Sequence, residues 1–196
     1  MKITFTGAHG AGKTTAMGIL LKTLKESVGS YDSLGVLTST TRELIDLGWE
    51  SEQSGFELAC IYLRRQWMIE LEKKEAPYIL SERWSMDETA YQMAKVRSKQ
   101  TPERDQTHIL RVAQMEMRWE IENYWDIVYY IPLDNRPVDG DGVRPTDKDY
   151  QISIDKLIQE NLKPYKKSPK IRVMPTTLED WEPYFKKEVE SWKSKR

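Results

Sequence analysis

Gly7-Ala8-His9-Gly10-Ala11-Gly12-Lys13-Thr14 fits the pattern G-x-x-x-x-G-K-[ST] at every defined position, and the chemistry of that spacing is the holding of phosphate. Glycines let backbone N–H groups close around phosphate oxygens, and a helix that starts at the loop adds the positive end of its dipole. Lys13 is placed to reach β- and γ-phosphates and the Thr14 hydroxyl to ligate Mg²⁺. Gly7, His9, Gly10, Ala11, Gly12 and Thr15 complete the expected cradle. These residues predict binding of a nucleoside triphosphate, with ATP and Mg²⁺ as the expected pair.

The pattern carries this meaning only between a strand and a helix. Lys2-Ile3-Thr4-Phe5-Thr6 supplies a short run of β-branched and aromatic residues before it. After it, Met17, Leu20, Leu21 and Leu24 recur at helical spacing through Thr15 to Glu26. A second chemical group, Ser81-Glu82-Arg83, closes another strand-like run, Pro77 to Ser81. Its side chains should emerge beside the glycine loop. Glu82 could hold a Mg²⁺ water shell or accept a proton from an attacking hydroxyl. Arg83 could neutralise phosphate in bidentate fashion.

Further strands are expected at Gly35 to Ser39, at Asp126 to Pro132 and, more weakly patterned, at Lys170 to Met174. The Asp126 run has apolar side chains on both faces, which suits a buried parallel strand. Helices are expected over Thr41–Leu47, Gly55–Glu75, Asp87–Val96, Glu103–Tyr124, Tyr150–Leu162 and Leu178–Trp192. The Gly55–Glu75 segment shows Phe56, Ala59, Cys60, Leu63, Trp67 and Leu71 as one stripe, read as its core face. Alternation of strands and helices predicts an α/β fold with a parallel sheet of about five strands and helices on both faces, ligands lying at the carboxyl ends of the strands. The chain of 196 residues is read as one domain, 1–196.

Composition narrows the classes. A charged fraction of 31% with a net charge of −1 gives no overall nucleic-acid or membrane signature. Cys60 is the only cysteine, so no intrachain disulfide can form, and a reducing compartment is expected. His9 and His108 are the two histidines, with no zinc-ligand spacing. No apolar run approaches the roughly 20 residues of a membrane helix. The start goes directly into a strand, and no leader segment is expected. A cytoplasmic protein is the reading that fits. The seven tryptophans are assigned to packing. Arg104, Arg111 and Arg118, seven apart, are read as a solvated face.

Beyond these patterns, Glu82-Arg83-Trp84-Ser85-Met86-Asp87-Glu88-Thr89-Ala90-Tyr91-Gln92 resembles the D-R-Y-x-x-S-x-x-A-Y-Q segment of thymidylate kinases. Thr41-Arg42-Glu43 resembles their T-R-E-P segment, and Glu57 to Arg65 resembles the helix that leads to their base-contacting arginine. The resemblance covers the first half of the chain. It implies a three-layer P-loop kinase fold and transfer of the γ-phosphoryl of ATP to a nucleoside monophosphate, usually by a homodimer. Carried over residue by residue, Arg42 and Arg83 surround the acceptor's phosphate, Arg65 addresses the base, Tyr91 lies near the sugar, and Gln92 approaches the base. Trp84 falls on the acceptor side, where its face could cover a base or sugar. Glu82 replaces the family aspartate and is one methylene longer, while Asp87 replaces a serine and Leu44 a proline, both near the acceptor.

In the second half, Asp139-Gly140-Asp141-Gly142-Val143-Arg144 resembles the D-G-V-R loop of small P-loop ATPases that include ribosylnicotinamide kinases and many phage proteins. There the loop is a mobile lid, here about 133–149. Arg144 would arrive on closure, stabilise transition-state charge and help exclude water. A deoxynucleoside monophosphate is the expected acceptor. A nucleoside or nicotinamide riboside, a hydroxymethylpyrimidine in DNA, and a purely nucleotide-binding regulator remain as alternatives. No N-K-x-D segment for guanine follows a strand.

Overall fold

The computed structural model describes residues 1–28, 34–38, 40–98, 104–133 and 147–193. Chain order is β1 (Lys2–Thr6), α1 (Lys13–Val28), β2 (Leu34–Leu37), α2 (Thr40–Asp46), α3 (Phe56–Lys73), β3 (Tyr78–Ser81) and α4 (Ser85–Ser98). Then come α5 (Arg104–Trp119), β4 (Ile127–Tyr130), α6 (Lys148–Leu162), β5 (Ile171–Val173) and α7 (Trp181–Lys193). The five strands form one parallel sheet in the order β2-β3-β1-β4-β5. β1 therefore lies at the centre, with β3 on one side and β4 on the other. Where the strand order reverses, the chain leaving β1 and β3 diverges from the chain leaving β4, which opens a crevice at their carboxyl ends. The glycine-rich loop, residues 7–12, leaves β1 into that crevice.

Side-chain alternation on the strands feeds two cores. Ile3, Phe5, Leu80, Ile127 and Tyr129 pack with α1 and α7 through Leu20, Leu24, Trp181, Phe185 and Trp192. Val128 and Tyr130 face the other way, onto Trp84, Ala90, Trp125, Ile154 and Ile158. Each fully buried large apolar side chain contributes roughly 1.5–3 kcal/mol. The sheet is thus covered on both sides, the arrangement the strand–helix alternation predicts.

Two elements depart from their sequence patterns. The expected helix Glu103–Tyr124 is α5 followed by a wider π-type turn, Glu120–Tyr124, closed by Trp125 N–H donating to Glu120 O at 3.0 Å. The turn carries Glu120 inward, where its carboxylate accepts from Ser85 N–H, Ser85 Oγ and Trp125 Nε1. Ser85 opens α4, so this contact fixes the start of that helix. The second departure is α3. Its buried face is Phe56, Glu57, Cys60, Ile61, Arg64 and Met68, whereas Trp67 is 46% exposed. The apolar stripe holds at Phe56, Ala59, Cys60, Leu63 and Leu71 but fails at Trp67, and Glu57 and Arg64 take core positions that it did not include.

Candidate active site

The loop is built mainly by backbone. Gly7 lies so close to the end of β4 that a Cβ on it would sit 2.7 Å from Ile131 O, and Ala11 would also press on it at 3.3 Å. Gly12 has φ +93°, a conformation other residues adopt at a cost. α1 begins directly at Lys13, with no acidic residue in its first turn. Lys13 is buried and its Nζ donates to Gly7 O at 2.6 Å and Ala8 O at 2.7 Å. Its charge is thereby folded over the loop it is expected to serve. Thr14 and Thr15 are exposed at the helix start.

Glu82 follows β3, and its N–H donates to Leu37 O at 2.9 Å. Its carboxylate accepts from Thr14 Oγ1 at 2.8 Å. This contact joins two motifs that lie 68 residues apart. Two hard oxygen donors side by side suit Mg²⁺, which takes one or two protein oxygens and completes its shell with water and phosphate. The described residues hold no cluster of three or more His, Cys, Asp or Glu that could bind a metal by itself.

Beside the loop lies a cavity of about 380 Å³, between α2, α3, α4 and the start of α6. Of the residues singled out from sequence, His9, Arg42, Arg83 and Tyr91 line it. His9 Nδ1 is 3.3 Å from the Tyr91 hydroxyl, and the His9 backbone oxygen accepts from Gln151 Nε2 at 2.5 Å. Arg83 is buried, 3.8 Å from Asp87 Oδ1, and its guanidinium lies 5.5 Å from the centre of the Tyr91 ring. Asp87 is fully buried. Burial pushes its carboxyl up to about 6, against the opposing pull of Lys13 and Arg83.

Three assignments on the acceptor side need correction in their geometry. Trp84 is 0% exposed and packs in the core between the sheet and α4, so its face is closed to any ligand. Gln92 is buried and donates to Gln106 O at 2.9 Å, tying α4 to α5. Arg65 points away from the cavity, pairing with Glu116 at 2.8 Å and covering Trp119 at 4.7 Å. Helix rotation explains the last case, since the buried face of α3 passes through Arg64. Arg144 and most of the expected lid, residues 134–146, lie outside the described residues.

Sequence reasoning missed the groups that close the far end of the cavity. Arg64 makes a bidentate pair with Glu88, both bonds 2.9 Å, with both side chains almost fully buried. Lys95 pairs with Glu57 at 2.7 Å and also donates to Ser51 O. The signal was present: Glu57 and Arg64 are seven apart on α3, and Glu88 and Lys95 are seven apart on α4. Opposite charges at matching spacing on two helices specify an antiparallel pair of ion bridges. Cys60 also lines the cavity, and burial pushes its thiol up to about 12, which disfavours the thiolate.

No protein-family model matches the sequence, and no curated protein does. Solved structures do match. A thymidylate kinase from Candida albicans superposes with a TM-score of 0.68 at 16% identity, covering 98% of this chain and 92% of that one. A thymidylate kinase from Ehrlichia chaffeensis gives 0.63 at 19% identity, covering 97% of both chains. Deoxyadenosine kinase from M. mycoides, with products dCMP and dCDP bound, gives 0.65 at 13% identity over 97% of this chain and all of that one.

The chain has the fold of the P-loop kinases. The similarity is one of architecture, spread over nearly the whole chain. The NadR protein, in complex with NAD and AMP-PNP, shares it too at a TM-score of 0.66, with this chain spanning 48% of its length. No helix among the described residues is long and apolar enough to cross a membrane.

Proposed function

We propose that this protein transfers the γ-phosphoryl group of ATP, with Mg²⁺, to a deoxynucleoside monophosphate. The observation that carries the reading is the junction of two sites. The cradle formed by Lys13 and the Thr14–Glu82 pair lies beside a cavity lined by Arg42 and Arg83. Cations thus stand on both sides of the position of a transferring phosphoryl group. An acceptor that itself carries phosphate accounts for the two arginines, since guanidinium groups match phosphate oxygens in geometry and charge.

In this mechanism Lys13 leaves its two loop carbonyls for the β- and γ-phosphates. Thr14 and Glu82 would hold the metal, which would supply neutralisation of charge on the phosphates. Arg83, fixed by Asp87 and Tyr91, orients the acceptor's phosphate, with Arg42 closing from α2. Arg144, on the resemblance of its D-G-V-R segment, would supply a further cation to the transferred group. Catalysis is therefore positioning and charge stabilisation, with no covalent intermediate on the protein. The nucleotide and nucleoside kinases among the structural neighbours support the reaction class.

Labelled γ-phosphate from ATP, offered to deoxynucleoside monophosphates, nucleosides, nicotinamide riboside and DNA with hydroxymethylpyrimidines, tests the acceptor. Label in a nucleoside diphosphate is expected. Label in a nucleoside monophosphate made from a nucleoside, or in DNA, would keep the donor site and overturn the acceptor roles of Arg42 and Arg83.

A further inference from the structure

A helix from late in the chain holds the middle of the glycine-rich loop. Gln151, in the first turn of α6, is buried, and its Nε2 donates to the His9 backbone oxygen at 2.5 Å, across 142 residues of sequence. A backbone carbonyl only accepts, so the amide NH₂ of Gln151, and not its oxygen, is the group that meets it. The start of α6 fixes where that amide sits. The Asp147 carboxylate caps the helix by accepting from the N–H groups of Asp149 and Tyr150, and Asp147 O accepts from Gln151 N–H at 3.0 Å. Tyr150 lines the same cavity, its ring 5.8 Å from that of His9, centre to centre. The Tyr91 hydroxyl comes within 3.3 Å of His9 Nδ1. His9 is thus gripped by its side chain and its carbonyl together.

The carbonyl contact decides the direction of the next N–H. Among the described residues no peptide bond is cis, and in a planar trans peptide the C=O and the N–H point opposite ways. Turning His9 O inward to Gln151 therefore turns Gly10 N–H outward, to the side of the loop where Gly10 is exposed. An outward N–H in this loop is a donor for an anion. Gly10 does not select that orientation by itself. Its φ is +74°, and glycine takes negative φ about as readily, so the His9–Gly10 peptide flips at little local cost. Flipped, it presents a carbonyl oxygen to the phosphates, exchanging an attractive donor for a repelling dipole.

We propose that Gln151 is a positioning residue for the phosphate loop, its amide holding the His9–Gly10 peptide with the Gly10 N–H toward the phosphates. It acts through the backbone and needs no contact with the nucleotide. The inference rests on the proposed function only in taking the phosphate chain of ATP as the occupant of the loop, and it is indifferent to the acceptor.

Equilibrium dialysis of the intact protein with labelled ATP and Mg²⁺ compares the wild type with Gln151→Met and Gln151→Glu, with a thermal melt to confirm that each is folded. Methionine keeps the length and lacks the donor, so ATP should bind about tenfold more weakly, as for loss of a hydrogen bond to a charged group. Gln151→Glu adds a signature that altered packing does not produce. When protonated, its carboxyl donates to His9 O and keeps the peptide in place. When ionised, it repels that oxygen and accepts from a flipped Gly10 N–H. The ratio of wild-type to Gln151→Glu affinity should therefore lie near unity at pH 5 and reach about tenfold or more at pH 8. Titration of ATP and of the neighbouring His9, Asp147 and Asp155 is common to both proteins and cancels in the ratio. A folded Gln151→Met that binds ATP as the wild type does, or a ratio for Gln151→Glu that stays flat from pH 5 to pH 8, overturns the inference. A wild type that binds no ATP overturns it together with the donor site. The expected ratios in a protein that transfers phosphate to no acceptor would uphold the inference and overturn the proposed function alone.

Discussion

The proposed donor side, at the glycine-rich loop, and the proposed acceptor side, in the cavity beside it, are built by different means. At the donor side, Gly7, Gly12 and the start of α1 present backbone groups, and among the described residues Lys13, Thr14 and Glu82 add side-chain chemistry. At the acceptor side, almost everything is side chain, held by ion pairs between α3 and α4. Backbone cradles demand particular residues at fixed spacing, because only glycine fits a close approach or a positive φ. A side-chain pocket can be assembled from many combinations, so its residues carry no fixed signature. The donor side is therefore the part that a sequence pattern can announce, and the acceptor side the part that only the pairing of α3 and α4 reveals.

The sharpest way to break that contrast is at Lys13. Lys13→Ala should lower kcat by roughly 10³-fold or more, as expected when a phosphate-bound charge is lost from a site of this kind. Melting temperature should move far less than activity, since the side chain donates to loop carbonyls and fills no apolar core. Steady-state kinetics with a melt in parallel checks both halves.

Trp84 tests the acceptor side from the opposite direction. As a core residue, Trp84→Ala should cost about 3–5 kcal/mol of stability, measured by urea unfolding. A variant of normal stability with a raised acceptor KM would return Trp84 to the binding surface.

Asp87 offers a pH signature. Its folded carboxyl titrates near 6, above its ordinary 3.8, so ionisation is disfavoured in the native state. That penalty is absent below the lower value, grows between the two, and is complete above the higher one. Asp87→Asn should therefore raise the melting temperature at pH 8 and have little effect at pH 4. Melting curves of both proteins across that range check the sign, and an equal shift at both ends would remove desolvation as the cause.

The smallest effect is expected at Arg65. Its pair with Glu116 is partly exposed, and such bridges contribute about 0–1 kcal/mol. Arg65→Ala should leave the acceptor KM unchanged. A large rise would restore its role at the base.

These cases also show what the sequence could disclose. The loop, the strand before it, the Ser81-Glu82-Arg83 strand end and the two-sided parallel sheet were legible, because backbone geometry and apolar alternation leave regular patterns. The inward face of α3 was legible only in part, since Glu57 and Arg64 occupy core positions that an apolar period leaves out, while Trp67 lies outside. Trp84 and Gln92 sat in a motif whose order survived while their side chains turned into packing. Arg65 missed the cavity by one residue, which on a helix is about 100° of rotation. The matched seven-residue spacing of charges on α3 and α4 was readable, but only once the two helices were known to pair.

Single-turnover transfer from γ-labelled ATP, with Mg²⁺ and a mixture of deoxynucleoside monophosphates, tests the account most directly. Label appearing in a deoxynucleoside diphosphate is the predicted result. Label remaining in ATP, or released only as inorganic phosphate while ATP is demonstrably bound, would contradict it.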